Sequence, residues 1–489
     1  MMVVDYVIIG AGYAGLSAAA LLSHFGFSVV VLESHTYVGG CASYFDRKEF
    51  TFDVGATTLS GLLPHQPLGK IFSTLGITPK VKKLEPGMVI FLDDKKIIRY
   101  ANQQRWITEA EQQFQSKGQK KFWDTLFTME AELWNMLEHL VYFPPTSLRD
   151  ALTLLPLIKP SVLRSSTGLI RPLYVLLEQY GLHNDRQFVR FVDEQLLIST
   201  QNKSDLAPLL PSSIGLVYPS ETYYPMGGMN KPVEQLEQSV RKNNGSIFFK
   251  QRVTSIEQLP SKQYKISTAK GKEFHTKGII SSIPIWNLPA ITSGSIQKYF
   301  EKKSRQHPDG WGAFTINFAI EDTMDLETAY YQLHSQSPIP YCSSDSLFVS
   351  FSLREDREKS PEGWYTVTIS THTKAEDWFA LSEDEYERRK EAVTKHLLQE
   401  FDNRFDGFKG AVKQYVLAGT PRTFEFYTKR YNGYVGGIPH TIEKPLPFMT
   451  PNKTPFDNFY VIGDTTFPGQ GTPAVALGAW NVVQRILRK

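Results

Sequence analysis

Three glycines and a glutamate near the amino terminus have the types and spacing of a nucleotide-binding unit. Gly10, Gly12 and Gly15 follow an apolar run and open a helical stretch, and Glu33 ends a second apolar run. In such a unit the first glycine permits a tight turn, the second lets the backbone approach a pyrophosphate, and the third lets the helix pack on its strand. The helix dipole then faces the phosphates, and Glu33 would accept hydrogen bonds from ribose hydroxyls. The order predicts a βαβ dinucleotide unit, with a glycine turn kept for packing alone as the alternative.

A second glycine-rich motif lies near the carboxyl end, at residues 463–471 (GDTTFPGQG). It follows the apolar run 459–462 and precedes a helical stretch, 472–487, with Pro473 at its start, where a missing N–H costs little. Asp464 would bind a ribityl hydroxyl. The second helix would point its dipole at the N1–C2=O edge of a flavin and favour the anionic reduced form. The two motifs together predict FAD; a helix that merely packs on a sheet is the alternative.

Several further motifs carry a resemblance to a known family. They are residues 39–43 (GGCAS), 52–57 (FDVGAT), 224–229 (YPMGGM), 421–430 (PRTFEFYTKR) and 435–439 (VGGIP). With the two glycine-rich motifs they resemble, almost end to end, the phytoene desaturase and carotenoid isomerase family of FAD enzymes, and most of all its carotenoid isomerase and carotenoid 3′,4′-desaturase branch. The chain departs from the family pattern in its middle third, where substrate should bind. The resemblance therefore implies the cofactor and the broad chemistry but not the particular substrate.

The resemblance and the two glycine-rich motifs imply an α/β fold of two domains. One is a Rossmann-type FAD-binding domain of the glutathione-reductase or amine-oxidase kind, and the other is a substrate domain with a mixed sheet and helices. Because the first and last segments must fold around one cofactor, the FAD-binding domain is expected to be discontinuous. The expected FAD-binding segments are 1–100, 220–290 and 440–489, and the expected substrate-binding segments are 101–219 and 291–439.

Periodic apolar patterns predict further elements outside the nucleotide unit. Helices are expected at 106–135, 187–199 and 383–405, the last of them charged and exposed. Alternating strands are expected at 313–320, 346–353 and 364–371, and they predict an antiparallel sheet in the substrate domain.

The residues expected to contact FAD lie in the glycine-rich motifs and in the loops that the resemblance adds. They are Gly10, Gly12, Tyr13, Ala14, Gly15, Glu33, Ser34, Gly39, Gly40, Cys41, Ala42, Gly55, Ala56, Thr57, Gly228, Val253, Gly463, Asp464, Gly469, Gly471, Thr472, Pro473 and Val475. Val253 is included because a valine at such a place contacts the adenine in the resembling enzymes. Cys41 stands where related flavoproteins have Ser or Arg. We expect a small packing residue there, with a redox thiol as the alternative.

Candidates for a catalytic acid or base are Glu194, Asp193, Glu425 and Tyr427. Glu194 lies within an apolar helix, where burial would raise its pKa; the simpler interpretation is a solvated helix residue. Glu425 has a structural alternative too, because it could pair with Arg422 on the same predicted helix.

Residues 139–181 differ in composition from the rest of the chain. Apolar clusters alternate there with Arg149, Lys159, Arg164 and Arg171, and acids are few. This composition is typical of a segment that lies at a membrane interface, and a helical hairpin packed on the substrate domain is the alternative. We expect no signal peptide, because residues 1–5 lead straight into the first predicted strand, and no transmembrane helix, because no apolar run reaches 18 residues. We therefore expect a peripheral protein on the cytoplasmic side of a membrane.

Bulk properties exclude other function classes. A net charge of +3 with interspersed acids gives no nucleic-acid footprint. Two cysteines cannot form a disulfide scaffold, which fits a reducing compartment. The 11 histidines lack metal-ligand spacing, so no metal is expected. Neither a nucleophile elbow nor a P-loop is present, which leaves the demanding chemistry to the flavin.

These expectations favour an FAD-dependent carotenoid oxidoreductase that desaturates a long-chain, hydrophobic polyene, with an external electron acceptor of unknown identity. A carotenoid cis-trans isomerase that uses reduced FAD is the first alternative. A flavin amine oxidase on a soluble substrate is the second, with Tyr431 and Tyr434 as an aromatic cage. A flavin- or carotenoid-binding protein without catalysis is the third.

Overall fold

The computed structural model describes residues 3–157 and 167–488. Its strands are β1 (Val3–Ile9), β2 (Val29–Leu32), β3 (Tyr44–Arg47), β4 (Phe50–Asp53), β5 (Val81–Lys83), β6 (Met88–Leu92), β7 (Lys95–Arg99), β8 (Tyr223–Pro225), β9 (Ser246–Phe248), β10 (Val253–Gln258), β11 (Tyr264–Thr268), β12 (Glu273–Ser281), β13 (Trp311–Glu321), β14 (Tyr330–His334), β15 (Ser346–Phe351), β16 (Trp364–Lys374), β17 (Lys413–Gly419) and β18 (Phe459–Val461).

The helices cover both sheets and form a separate helical layer. They are α1 (Tyr13–His24), α2 (Pro67–Leu75), α3 (Gln103–Gln113), α4 (Gln119–His139), α5 (Leu148–Leu154), α6 (Tyr174–Gln179), α7 (Arg186–Ser199), α8 (Leu209–Val217), α9 (Asn230–Lys242), α10 (Gly294–Gln306), α11 (Glu383–Arg404), α12 (Pro421–Thr428) and α13 (Thr472–Leu487).

The first sheet is the predicted nucleotide-binding core. Its order is β10-β11-β12-β1-β2-β9, and β18 pairs with β12. The pairs β9–β2, β2–β1, β1–β12 and β12–β18 are parallel, as expected for short apolar strands buried on both faces. The small residues of α1 pack against α13 and α9 in one apolar cluster on this sheet. The Rossmann-type fold is therefore confirmed.

The second sheet has the order β17-β13-β16-β15-β14-β6-β7 and is antiparallel except for the β14–β6 pair. The predicted strands 313–320, 346–353 and 364–371 correspond to β13, β15 and β16. Helix α11 covers this sheet with Val393, Leu397 and Phe401, which are fully buried. The expected helix is therefore present, but the prediction that it is exposed was wrong for the side that packs on the sheet.

Two of the expected boundaries differ from the structure. Strands β6 and β7 belong to the second sheet, although residues 1–100 were assigned to the FAD-binding domain. Their partner β14 is far away in the chain, so no local pattern marks the pairing. The predicted helix 106–135 consists of α3 and α4, which are separated at 114–118. A Cβ on Gly118 would lie 2.2 Å from the Tyr180 carbonyl oxygen, so the chain passes too close there for a side chain. The division into two domains along the expected segments stays a proposal.

The segment 139–181 has both packed and exposed apolar residues. Leu140, Leu169, Leu173 and Leu177 are buried. By contrast, the side chains of a second set lie largely in solvent: Leu148, Leu152, Leu155 and Ile170. Lys159 and Arg164 lie outside the described residues. Within 3–157 and 167–488, no helix has both the length and the apolar character needed to cross a membrane.

Candidate active site

A cavity of about 990 Å³ lies at the carboxyl ends of the parallel strands β1, β2, β12 and β18. In open α/β sheets ligands bind at this edge, and the volume is at the upper end of the ~300–1,000 Å³ typical of ligand pockets. Most of the predicted FAD contacts line this cavity. The exceptions are Gly15, Gly55, Thr57, Gly228 and Gly469.

The three amino-terminal glycines differ in the physical reason why a glycine occupies the position. Gly10 has a φ of +97°, which L side chains rarely adopt. A Cβ on Gly15 would lie 2.0 Å from the Gly10 carbonyl oxygen, so this glycine allows α1 to pack on its own turn. Gly12 differs, because a Cβ there would meet protein atoms only at 3.7 and 3.9 Å. Protein packing does not require a glycine at 12, and the missing side chain leaves room for a ligand to approach the backbone in the cavity that Gly12 lines.

Two helices begin at the cavity with their amino-terminal N–H groups uncapped by any side chain. Helix α1 follows Gly12 and helix α13 follows Gly471, and neither has an acidic residue in its first turn. The first residues of both helices line the cavity. Free N–H groups and the positive ends of two dipoles suit an anionic ligand at one helix and a reduced flavin at the other. These features fit FAD.

Glu33 is buried at the end of β2 and lines the cavity. Its Oε2 accepts a hydrogen bond from the Ala11 N–H at 2.7 Å. Its Oε1 accepts from the His35 N–H at 2.7 Å and from the Ser34 hydroxyl at 3.1 Å. Three accepted bonds fix the carboxylate and leave one of its roughly four acceptor positions for a ribose hydroxyl. The ribose contact stays a prediction.

Asp464 lines the cavity and forms an ion pair there. Its Oδ2 lies 2.7 Å from Nη2 of Arg430, a cavity residue that our sequence analysis missed. Burial alone would lower the pKa of Arg430, but Asp464 and Cys41 raise it above the ordinary value. Burial raises the pKa of the Cys41 thiol, against the effect of Arg430. A neutral thiol is a poor nucleophile, which favours the packing role for Cys41.

Part of the cavity lining is apolar, and we call this part the arm. Its apolar lining residues are Leu133, Trp134, Leu137, Ile198, Pro211, Ile214, Leu446 and Leu477.

The titratable side chains on the described lining of this arm are Tyr218 and His440. Burial lowers the pKa of His440 to about 4, so its imidazole is neutral at pH 7. The backbone of His440 is held by two hydrogen bonds. Its backbone N–H donates to the Thr200 carbonyl at 2.9 Å, and its carbonyl accepts from Asn202 Nδ2 at 2.7 Å. His440 follows the 435–439 motif directly, which was the only sequence signal for it.

The catalytic candidates from sequence are scattered. Glu194 does not line the cavity, and it is not solvated as the simpler interpretation held, because only 2% of it is exposed. Its Oε2 accepts hydrogen bonds from the hydroxyls of Ser344 and Ser346, both at 2.6 Å. Burial raises the pKa of Asp193, whose Oδ1 accepts from the Ser204 N–H.

Glu425 does not line the cavity either, and it does not pair with Arg422. Nη2 of Arg422 instead lies 3.2 Å from Oε2 of Glu383, at the start of α11. Tyr427 lines the cavity and is 57% exposed, which places it where the cavity opens.

The predicted FAD contacts that do not line the cavity have local structural roles. Gly55 and Thr57 line a smaller neighbouring cavity of about 170 Å³. A Cβ on Gly228 would lie 3.0 Å from Oδ1 of Asp53, so the Gly-Gly turn packs on that carboxylate rather than on the cavity. A Cβ on Gly469 would lie 2.5 Å from Nε2 of His440.

Two other expectations concern what the site contains. Among the described residues no group of His, Cys, Asp and Glu is arranged to hold a metal ion. Tyr431 and Tyr434 do not line the cavity. The Tyr434 hydroxyl donates to the Pro308 carbonyl, and its ring packs edge-on against Trp286.

Comparisons with known proteins support a flavin cofactor. The model of the flavin containing amine oxidoreductase family matches residues 13–487. Prolycopene isomerase 1 from an Oncidium hybrid cultivar is 27% identical and is aligned over 99% of this chain and 83% of its own length. A 4,4′-diapophytoene desaturase from Methylomonas is 22% identical, over 96% of this chain and 92% of its own. Cyclohexylamine oxidase from Brevibacterium oxydans shares the fold with a TM-score of 0.60 and 13% identity, over all of both chains.

Proposed function

The chain belongs to the flavin-containing amine oxidoreductase family, and we propose that it is an FAD-dependent carotenoid oxidoreductase that desaturates a long polyene. One observation carries the proposal: a single cavity joins the two helix amino termini to an arm with apolar walls. A long substrate without polar groups is positioned by the shape of such an arm. The similarity to a diapophytoene desaturase supports this substrate class.

The residues that would hold FAD divide along the cavity. The N–H groups at the start of α1 would bind the pyrophosphate, Glu33 a ribose, and Asp464 a ribityl hydroxyl. The start of α13 would face the N1–C2=O edge of the flavin ring. FAD bound there supplies two-electron, hydride-accepting chemistry. The protein's own contribution is orientation and exclusion of water.

In the arm, side chains such as Leu137, Ile214 and Leu446 would hold the polyene and keep water away from the reacting carbons. Desaturation also removes a proton from the carbon beside the one that loses hydride. His440 is placed on the arm with a neutral imidazole, and Tyr427 stands at the opening. We propose His440 before Tyr427 as the proton acceptor, because His440 is partly buried, whereas Tyr427 is exposed.

An isomerase is the second candidate, and a specific observation favours it: prolycopene isomerases are among the relatives of this chain, and the one from an Oncidium hybrid cultivar is 27% identical. The same cavity serves both reactions, because isomerisation also needs a polyene beside the flavin. An amine oxidase is less well supported, since Tyr431 and Tyr434 do not supply an aromatic cage on the described lining.

We further propose that the protein is peripheral on a membrane. The exposed side chains of Leu148, Leu152 and Leu155 lie on α5 or just after it, and Leu154 beside them packs on the same apolar cluster as Leu137 and Leu446 of the arm. An apolar surface next to the arm would let a lipid-dissolved substrate enter without crossing water. The reduced cofactor would be reoxidised by an external acceptor.

The test is anaerobic mixing of the oxidised holoprotein with acyclic carotenes in liposomes. Loss of flavin absorbance together with a product two mass units lighter is expected for a desaturase. A product of unchanged mass, formed after prior flavin reduction, would assign the isomerase instead. A carotene that binds but returns unchanged under both conditions would indicate binding without catalysis.

A further inference from the structure

We propose that Arg430 is a cofactor-binding residue that donates hydrogen bonds to the pyrophosphate of FAD while it neutralises Asp464. The inference rests on the FAD site of the proposed function and does not depend on which substrate is turned over. None of the FAD contacts predicted from sequence includes this arginine.

Arg430 lies where three segments that are distant in the sequence meet. Its Nη2 is 2.7 Å from Oδ2 of Asp464, and its Nε donates to the Tyr434 carbonyl at 2.5 Å. The Cys41 thiol interacts electrostatically with the same guanidinium. An arginine has five N–H donors, so these contacts orient the guanidinium and leave donors for a ligand in the cavity that Arg430 lines.

The loop that carries Cys41 is part of the phosphate turn. The Gly39 N–H donates to the Ala11 carbonyl at 3.0 Å, and Gly39 forms an isolated bridge with Gly12. A Cβ on Gly40 would come within 3.5 Å of the Gly12 Cα. Arg430 therefore pairs with Asp464 on one side and interacts with the loop beside the α1 turn on the other, where a cation would serve both a pyrophosphate and a carboxylate.

Charge balance gives the reason for a cation at this point. Asp464 and Glu33 line the cavity as acids, and a pyrophosphate would bring two further negative charges. The cations on the same lining are Arg47, Arg252, Lys429 and Arg430, and of these Arg430 is the one paired with Asp464. Helix dipoles offset only about half a charge each. A guanidinium is suited to balance the negative charge that the dipoles leave, because its planar fork matches phosphate oxygens and it stays charged when buried.

The end of α12 directs this side chain inward. Lys429 ends the helix with a φ of +59°, and the Arg430 N–H donates to the Thr428 hydroxyl. Arg422 lies on the same helix but does not line the cavity, and its partner is Glu383. Arg422 is therefore a matched control, since it is also an ion-paired arginine of the same segment.

The experiment compares FAD binding by the wild type, Arg430→Gln, Arg430→Lys and Arg422→Gln. Each protein is stripped of cofactor and titrated with FAD by flavin fluorescence, and the thermal unfolding of each apoprotein is recorded. We expect Arg430→Gln to bind FAD at least tenfold more weakly, Arg430→Lys to bind with an intermediate affinity, and Arg422→Gln to stay within twofold of wild type. Affinity for Arg430→Gln within twofold of wild type would overturn the proposal.

A double variant separates contact with the pyrophosphate from mere neutralisation of Asp464. If Arg430 only neutralised Asp464, then Arg430→Gln with Asp464→Asn would regain the affinity of Asp464→Asn alone, and the proposal would be overturned. If it binds phosphate, the double variant stays at least tenfold weaker than Asp464→Asn. The phosphorus NMR signals of bound FAD should also move in Arg430→Lys and not in Arg422→Gln. Should Arg430→Gln not fold, the lysine variant decides by both readouts.

The experiments distinguish a wrong carotenoid assignment from a wrong role for Arg430. A wild type that binds FAD but leaves every carotene unchanged overturns the carotenoid assignment, while the comparison of arginine variants still decides the present proposal. A wild type that binds no FAD overturns both.

Discussion

Nζ of Lys359 lies 2.5 Å from Oδ2 of Asp53, and both side chains are buried, at 7% and 4% exposure. Oδ1 of the same carboxylate accepts a hydrogen bond from the Met229 N–H at 3.0 Å. Lys359 follows β15 of the second sheet, Asp53 ends β4, and Met229 precedes α9 on the first sheet. This ion pair and its hydrogen bond therefore connect β4 with segments that adjoin the first and the second sheet.

We expect Lys359→Met to lower the free energy of unfolding by about 3–5 kcal/mol, because removal of one partner leaves a buried charge uncompensated. Urea unfolding of the purified protein measures this. Lys82→Met is the matched control: its ion pair with Glu355 has the same 2.5 Å distance, but both side chains are more than half exposed, so the expected cost is about 0–1 kcal/mol. Equal effects of the two changes would contradict a structural role for the buried pair.

Two neighbouring glycines should respond differently to the same added methyl group. Gly15→Ala places a Cβ 2.0 Å from a backbone oxygen, so we expect about 3 kcal/mol or more of destabilisation, or insoluble protein. Gly12→Ala meets no close protein atom and has an ordinary φ of −83°. We expect apoprotein stability within about 1 kcal/mol of wild type but FAD binding at least tenfold weaker. Apoprotein unfolding and FAD titration separate the two outcomes, and unchanged FAD affinity for Gly12→Ala would count against the phosphate site.

Much of the first domain could be predicted from sequence because its signals are local. Apolar runs, glycine spacing and a final acid placed β1, α1, β2 and Glu33 correctly, and α13 was predicted with its observed bounds. The FDVGAT motif was more ambiguous. It suggested cofactor contacts, yet Asp53 pairs with a lysine that no local pattern connects to it.

Long-range side-chain pairs account for the other differences. Arg422 has a glutamate three residues away in Glu425, which predicts a helical pair, but its partner is Glu383. Arg430 was within a quoted motif, yet its role became visible only beside Asp464. Glu194 looked solvated or catalytic because the two serines that bind it lie about 150 residues away.

The free energy of unfolding should fall on acidification, because a buried histidine takes up a proton more readily in the unfolded chain than in the folded protein. Burial, with a contribution from Arg190, lowers the pKa of His334 to about 3, against about 6.5 in an unfolded chain. Between these values the unfolded chain binds a proton that the folded protein does not. His334 therefore costs about 1.4 kcal/mol of stability for each pH unit below about 6.5. We expect urea unfolding at pH 7.5 and 5.5 to show this loss in the wild type.

His334→Leu removes the titrating group at a site where neither ring nitrogen has a described hydrogen-bond partner. The loss of stability between the two pH values should then shrink by about 1–1.5 kcal/mol. His24→Leu, at an exposed position on α1, is the control and should leave the loss unchanged. An identical pH dependence in the wild type and in His334→Leu would refute the assignment.

The last prediction concerns the membrane surface. Leu148, Leu152 and Leu155 are 78%, 54% and 56% exposed, and Arg149 beside them is also exposed. We expect the wild type to float with anionic liposomes and to be released more completely by detergent than by salt. Each leucine side chain moved from water into lipid contributes ~1.5–3 kcal/mol, against about 1 kcal/mol for a nearby cation.

Replacing Leu148, Leu152 and Leu155 by serine should therefore release the protein from liposomes at low salt. Because all three side chains lie largely in solvent, the substitutions should leave the unfolding temperature and the FAD content unchanged. Val412→Ser with Val416→Ser is the control, since both valines are exposed but lie at or next to β17 of the second sheet, away from α5. If the control releases the protein as fully as the leucine variant, the attachment is not specific to this surface. If the wild type remains free of liposomes at low salt, the exposed leucines do not bind lipid and the substrate must reach the arm by another route.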